Sequence, residues 1–128
     1  MNKIEIIKKF NDIIASLLDQ VSPLIGQKYL GYFKKLIKFN APLPIKNFGP
    51  IALKHKNKIM EKDPEYFLSD NVFKSEIDNS CEEENKEYYL SEILHLKNIY
   101  LTVDDDSKEN LWKIVQALVL LYEEYIKV

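Results

Sequence analysis

The sequence predicts an all-α fold: a compact single domain over residues 1–128, built from three longer helices and two or three short ones, with a proline-rich link in its first half. Three observations predict it. Apolar residues recur at three- and four-residue spacing over several long stretches, the period of a helix with one buried face. Period-two alternation never lasts long enough for a strand. Ser–Pro, Gly–Pro and Asp–Pro pairs fall between those stretches, where helices stop and start. At 46% apolar and 12% aromatic residues, a chain of this length can bury one core without disulfides or metals.

The first helix is expected over residues 3–21, with Ile6, Ile7, Phe10, Ile13, Ile14, Leu17, Leu18 and Val21 on one face and Ser22-Pro23 ending it. A second is expected from Leu24 to Phe39, weakened early by Gly26 and Gly31. Two prolines in Asn40-Ala41-Pro42-Leu43-Pro44 favour an extended, polyproline-like link. Gly49-Pro50 then opens a short helix to Met60. Asp63-Pro64 reads as an N-cap followed by a first-turn proline, leading into one or two turns through Tyr66, Phe67 and Leu68. Val72, Phe73 and Ile77 continue the buried pattern weakly, as helix or extended chain. Residues 78–87 hold no large apolar side chain and read as an exposed loop or a solvated helix start. Helical spacing resumes from Tyr88 to Leu101. Asp106 or Ser107 is expected to cap a final helix over 107–126, with Glu109 at capping-box spacing from Asp106 and Trp112 as a core anchor near its start.

Charge divides the chain. Residues 1–62 carry twelve Lys against four acids, and residues 63–128 six Lys against sixteen acids, so a net charge of −2 hides a basic first half and an acidic second. All eighteen cations are Lys. Without Arg the chain has no planar bidentate fork for phosphates, guanine edges or carboxylates.

Several chemistries find no support. Cys81, His55 and His95 are isolated, without the paired spacing of a zinc site. Asp104-Asp105-Asp106 lacks the central Gly and the twelfth-position Glu of a calcium loop, and helix capping accounts for it. No Gly-x-Ser-x-Gly and no phosphate-cradling glycine loop is present. Glu82, Glu83 and Glu84 follow Cys81 and oppose thiolate formation. The expectation is a non-enzymatic protein with no catalytic residue, no metal and no cofactor. One cysteine, no apolar h-region and no long apolar run point to an intracellular chain without signal peptide or membrane span.

What remains is binding. The candidate interaction surface comprises Lys28, Lys34, Lys35, Lys38, Lys54, Lys56 and Lys58 on the basic side and Glu82, Glu83 and Glu84 on the acidic side. Such patches suit docking on another protein, or self-association in which the basic surface of one copy meets the acidic surface of another. The alternative is a nucleic-acid-associated protein that contacts phosphates through these lysines, with Tyr29, Tyr32 and Phe39 interleaved. The bland reading is that the lysines coat a solvated face or pair with the acidic half.

Phe10-Asn11-Asp12, Phe39-Asn40-Ala41-Pro42-Leu43-Pro44 and Ser107-Lys108-Glu109-Asn110-Leu111-Trp112 together are similar to a pattern in a family of small, mostly uncharacterised helical proteins of nucleocytoplasmic large DNA viruses. The Arg-free, Lys/Asn/Ile-rich composition resembles that family too, and the acidic stretch at 78–87 is where the chain departs from it. The resemblance implies a viral protein, a virion component or an adaptor in the cytoplasm of the infected host cell. It implies no enzyme activity, cofactor or site residue.

Overall fold

The computed structural model describes residues 1–68 and 97–128, and every regular element among them is helical. The fold is all-α, as the spacing predicts.

Helix α1 (Lys3–Ile25) starts where the Asn2 side chain accepts a 2.9 Å hydrogen bond from the Glu5 amide. It outruns its predicted end, with Pro23 inside its last turns. A proline there removes the N–H that would reach the Asp19 carbonyl. The Ser22 hydroxyl donates to that same carbonyl at 2.8 Å instead, so the helix continues to Ile25. Gly26, at φ 88°, then turns the chain, a conformation an L side chain resists.

Helix α2 (Lys28–Phe39) begins later than predicted and buries no side chain completely. Tyr29, Leu30, Phe33 and Ile37 are half-buried on the side that meets α1.

The expected extended link is absent. The Asn40 amide closes on the Leu36 carbonyl at 2.9 Å, the Leu43 amide on the Asn40 carbonyl at 3.1 Å, and the chain enters helix α3 (Leu43–Lys54) at once. Pro44 is accommodated because it stands in the first turn, where no amide is needed. Pro50 does not open a helix either; it lies inside α3. An interior proline costs a helix about 3 kcal/mol. Here that cost is set against the burial of Ile45, Gly49 and Ala52 on the same helix. The helix predicted to run to Met60 instead breaks at His55, after which α4 (Lys56–Glu61) ends on Lys62 in a left-handed conformation at φ 55°.

Helix α5 (Pro64–Leu68) follows the expected cap, with the Tyr66 amide donating to Asp63 Oδ1 at 3.1 Å. Val72, Phe73, Ile77, the 78–87 stretch and most of the expected helix from Tyr88 lie outside the described residues; residues 97–102 are helical. Helix α6 (Asp105–Lys127) is capped by Asp104, earlier than predicted: its Oδ1 accepts from the Ser107 amide at 2.7 Å. Glu109 is not part of a capping box; its carboxylate meets Lys62.

The core has two lobes that share α6. Ile6 and Phe10 of α1 and Ile45 of α3 pack with Leu118 and Leu121. Ala52 of α3 and Ile59 of α4 pack with Val119. Between the lobes α3 and α6 approach so closely that a Cβ built on Gly49 would overlap the Tyr122 ring. One buried polar side chain crosses the structure: Asn11, only 4% exposed, donates through Nδ2 to the Ala41 carbonyl at 2.9 Å. It joins two of the motifs that carry the viral resemblance.

Gly49→Ala is expected to lower stability by about 1–3 kcal/mol, because the added methyl must displace an aromatic ring. Urea titration of Gly49→Ala, Tyr122→Ala and the double variant tests the cause. Overlap predicts that the double variant loses less than the two singles together. Strict additivity would show that the close approach is not the constraint.

Candidate interaction surface

The structure divides the seven lysines of the candidate surface into two groups. Those of α3 and α4 are drawn into local contacts. Lys56 Nζ lies 2.8 Å from Glu123 Oε1 of α6, an ion pair without hydrogen-bond alignment. Lys58 sits 3.6 Å from Glu61, 3.5 Å from Asp63 and 5.6 Å from the centre of the Tyr66 ring. Lys54, at the end of α3, has an interaction of its own. Lys62 joins them by bonding Glu109 at the start of α6. Through Lys56, Lys58 and Lys62 the basic half pairs with Glu123, Asp63 and Glu109 of the acidic half inside one chain.

The four lysines of α2 differ. Lys28, Lys34, Lys35 and Lys38 are all exposed, and none forms an ion pair with any described residue. Only Lys28 has a local aromatic contact, 5.0 Å above the Tyr29 ring. Helical spacing places Lys28, Lys35 and Lys38 on the side of α2 away from Tyr29, Leu30, Phe33 and Ile37, the side chains half-buried against α1, with Lys34 at the border between the two faces. Beside the lysines stand two rings that a stable core would have covered: Tyr32 is 66% exposed and Phe39 90%. The helix carries no acid, so its outer face combines undiluted positive charge with exposed aromatic surface. Glu82, Glu83 and Glu84 lie outside the described residues.

A cleft of 380 Å³ opens beside this face, between the first turns of α1 and the end of α2. Ile4, Ile7, Ile37, Ala41 and Pro42 make its walls apolar, and Lys8 and Asp12, themselves paired at 2.9 Å, stand at its edge. Asn11 lines it as well, and no described residue donates a hydrogen bond to its Oδ1. Sequence reading missed the cleft. The one available signal was Asn11 itself, a polar residue set within the apolar stripe of α1.

The remaining candidates settle into structural positions. His55 Nδ1 lies 2.8 Å from the Tyr66 hydroxyl, within a cluster that continues through Phe67 to Trp112. Trp112 is half-buried, and its indole N–H donates to the Tyr100 hydroxyl at 3.1 Å, so it anchors residues 97–102 and α5 on α6. Among the described residues no cluster of His, Cys, Asp or Glu could hold a metal ion, and no helix is long and apolar enough to cross a membrane. His95 and Cys81 lie outside those residues.

No family model, curated protein or solved structure matches this chain. Its surfaces must therefore be read from their own chemistry.

Two carboxyls carry a pH dependence. The Asp104 carboxyl is held below its ordinary 3.8 by the Ser107 amide and then the Ser107 hydroxyl. The Glu109 carboxyl is held below its ordinary 4.5, chiefly by the hydrogen bond from Lys62. Each binds its proton less tightly folded than unfolded. Their stabilisation is therefore complete above the unfolded values and is lost as pH falls through the lowered folded ones. Both groups are exposed, so the effect is small, and salt should separate them. In acid-unfolding curves Glu109→Gln should flatten the pH dependence at low salt and little at high salt, while Asp104→Asn should flatten it at both. An acid midpoint for Glu109→Gln equal to the parent's at low salt would remove the pair from the account.

Proposed function

We propose that the chain is a non-enzymatic protein-interaction module whose working surface is the outer face of α2. The observation that carries this reading is the contrast between the lysines. Lys56 and Lys58 of α4 pair with acids within the fold, whereas Lys28, Lys34, Lys35 and Lys38 pair with no described residue and flank exposed Tyr32 and Phe39. Exposed aromatic residues ringed by charge are the usual makings of a protein interface, and an all-Lys face selects an acidic partner and speeds its approach. That partner is another protein, or a second copy presenting acids from its own second half. The viral resemblance supplies the setting, a virion component or an adaptor in the infected cell's cytoplasm.

Single-stranded nucleic acid is the second reading, and the same two rings favour it, since bases stack on exposed aromatic side chains beside lysines. A convex helix face without Arg, on a chain of net charge −2, suits a polyanion less well than an acidic protein surface.

Reversing the four lysines of α2 to Glu should leave the thermal midpoint nearly unchanged, because none contributes to the core. It should abolish salt-sensitive association. The measurement pairs affinity purification from infected cells with sedimentation at low and high salt, for parent and variant alike. Acidic proteins retained by the parent and lost by the variant support the reading, as does a low-salt dimer that the variant cannot form. Identical partners and identical sedimentation for both proteins would end it, and retention of a labelled single strand by the parent alone would move it to nucleic acid.

A further inference from the structure

We infer that the partner of α2 is an acidic amphipathic helix, and that the cleft between α1 and α2 takes its apolar side chains. This rests on the reading of α2 as an interaction surface and adds the shape of what docks there.

A purely electrostatic surface needs no hollow beside it. Here the basic strip adjoins one. Ile37 lines the cleft, Lys34 lies one turn before it on the surface of α2, and Lys38 stands one turn beyond Lys34 on the same ridge. From the opposite wall, α1 contributes Ile4, which is 78% exposed at the cleft mouth, and Ile7 deeper in. The volume, 380 Å³, falls in the range of sites that hold a small ligand or a few side chains. The walls are chiefly Ile, Ala and Pro, and of the polar lining residues Lys8 and Asp12 pair with each other at the edge while Asn11 is bonded to Ala41. Such walls fit the apolar stripe of a helix laid along the α1–α2 seam.

Charge decides the rest of the occupant. On one flank of its apolar stripe such a helix would face Lys34 and Lys38, cations that no described residue neutralises. Glu or Asp at those positions would be met by complementary charge, and Lys or Arg would be repelled. The cleft is also held open in advance. Asn11 fastens Ala41, one of its wall residues, to α1 through a 2.9 Å hydrogen bond, so the wall need not be ordered on binding.

The test is fluorescence anisotropy on the full chain with three labelled probes. One is a peptide of about 20 residues with Leu at helical spacing and Glu elsewhere. The second is the same composition permuted so that the stripe is destroyed, and the third is a single-stranded oligonucleotide. The amphipathic peptide is expected to bind roughly tenfold or more tightly than the permuted one, which corresponds to about 1.4 kcal/mol. Ile4→Glu, at an exposed position that folding does not require, should remove that preference and leave weak charge-driven binding. Lys34→Glu with Lys38→Glu should weaken both peptides. Circular dichroism melts confirm that the variants fold.

Equal affinity for both peptides, or an Ile4→Glu protein that still prefers the amphipathic one, overturns the cleft proposal. In those cases loss of binding in the lysine variant would still sustain α2 as a charged interaction surface. Peptide binding indifferent to the lysines, or binding of the oligonucleotide alone, overturns both.

Discussion

Leu118, Val119 and Leu121 of α6 impose the constraint from which the rest of the fold follows. Leu118 and Leu121 close the lobe formed with α1 and α3, while Val119, between them in sequence, closes the lobe formed with α3 and α4. A helix that feeds two lobes must be apolar over an arc wider than a single seam requires. The run from Leu111 to Tyr125 supplies that arc, with Ile114, Val115 and Tyr122 at its edges. Burial on this scale, at about 25 cal/mol for each Å² removed from water, outweighs every exposed ion pair in the molecule. It also dictates small features elsewhere. Gly49 has no room for a side chain because Tyr122 occupies that space, and Pro50 is carried inside α3 because the residues around it are committed to α6.

The same arrangement determines how charge is distributed. Helix α4 and the residue that ends it lie against α6, within reach of acids on that helix, and Lys56–Glu123 and Lys62–Glu109 form across the seam. Among the described residues helix α2 packs chiefly on α1, and none of its lysines forms an ion pair there. Its lysines meet solvent, and so do Tyr32 and Phe39. The separation of basic and acidic halves along the sequence therefore becomes two different things in space. Part of it is an internal seam of modest energetic worth, and part is an outward face with nothing among the described residues to balance it.

Much of this was legible in the residues. The apolar periodicity of α1 and α6, the Asp63–Pro64 start of α5 and the all-helical class all follow from local physics. The largest departures in the first half have one origin. Proline was read by its local preference, and three times a neighbour overrode it: the Ser22 hydroxyl replaced the amide missing at Pro23, the first-turn position absorbed Pro44, and burial of Ile45 and Ala52 held α3 together through Pro50. The basic face was visible as a set of lysines. Its division into paired and unpaired members was not, because pairing depends on which helix lies opposite, and that is decided by the core. The cleft was illegible for the same reason, being a property of two helices and the turn between them.

That turn connects the core to the surface. Asn11 is the only buried polar side chain among the described residues, and a buried amide must make hydrogen bonds to offset its desolvation penalty. A Leu at that position would carry no such penalty. What the amide does in return is positional. Its Nδ2 fastens Ala41 to α1, at the point where α2 ends and α3 begins. Because α3 is held by α6, and α2 leads into the turn, this hydrogen bond ties the end of the basic helix and the cleft wall to α1. A polar group in an otherwise apolar stripe is not needed to fill the core. It is readily explained if the position of that turn, and of the surface it carries, is what the chain must preserve.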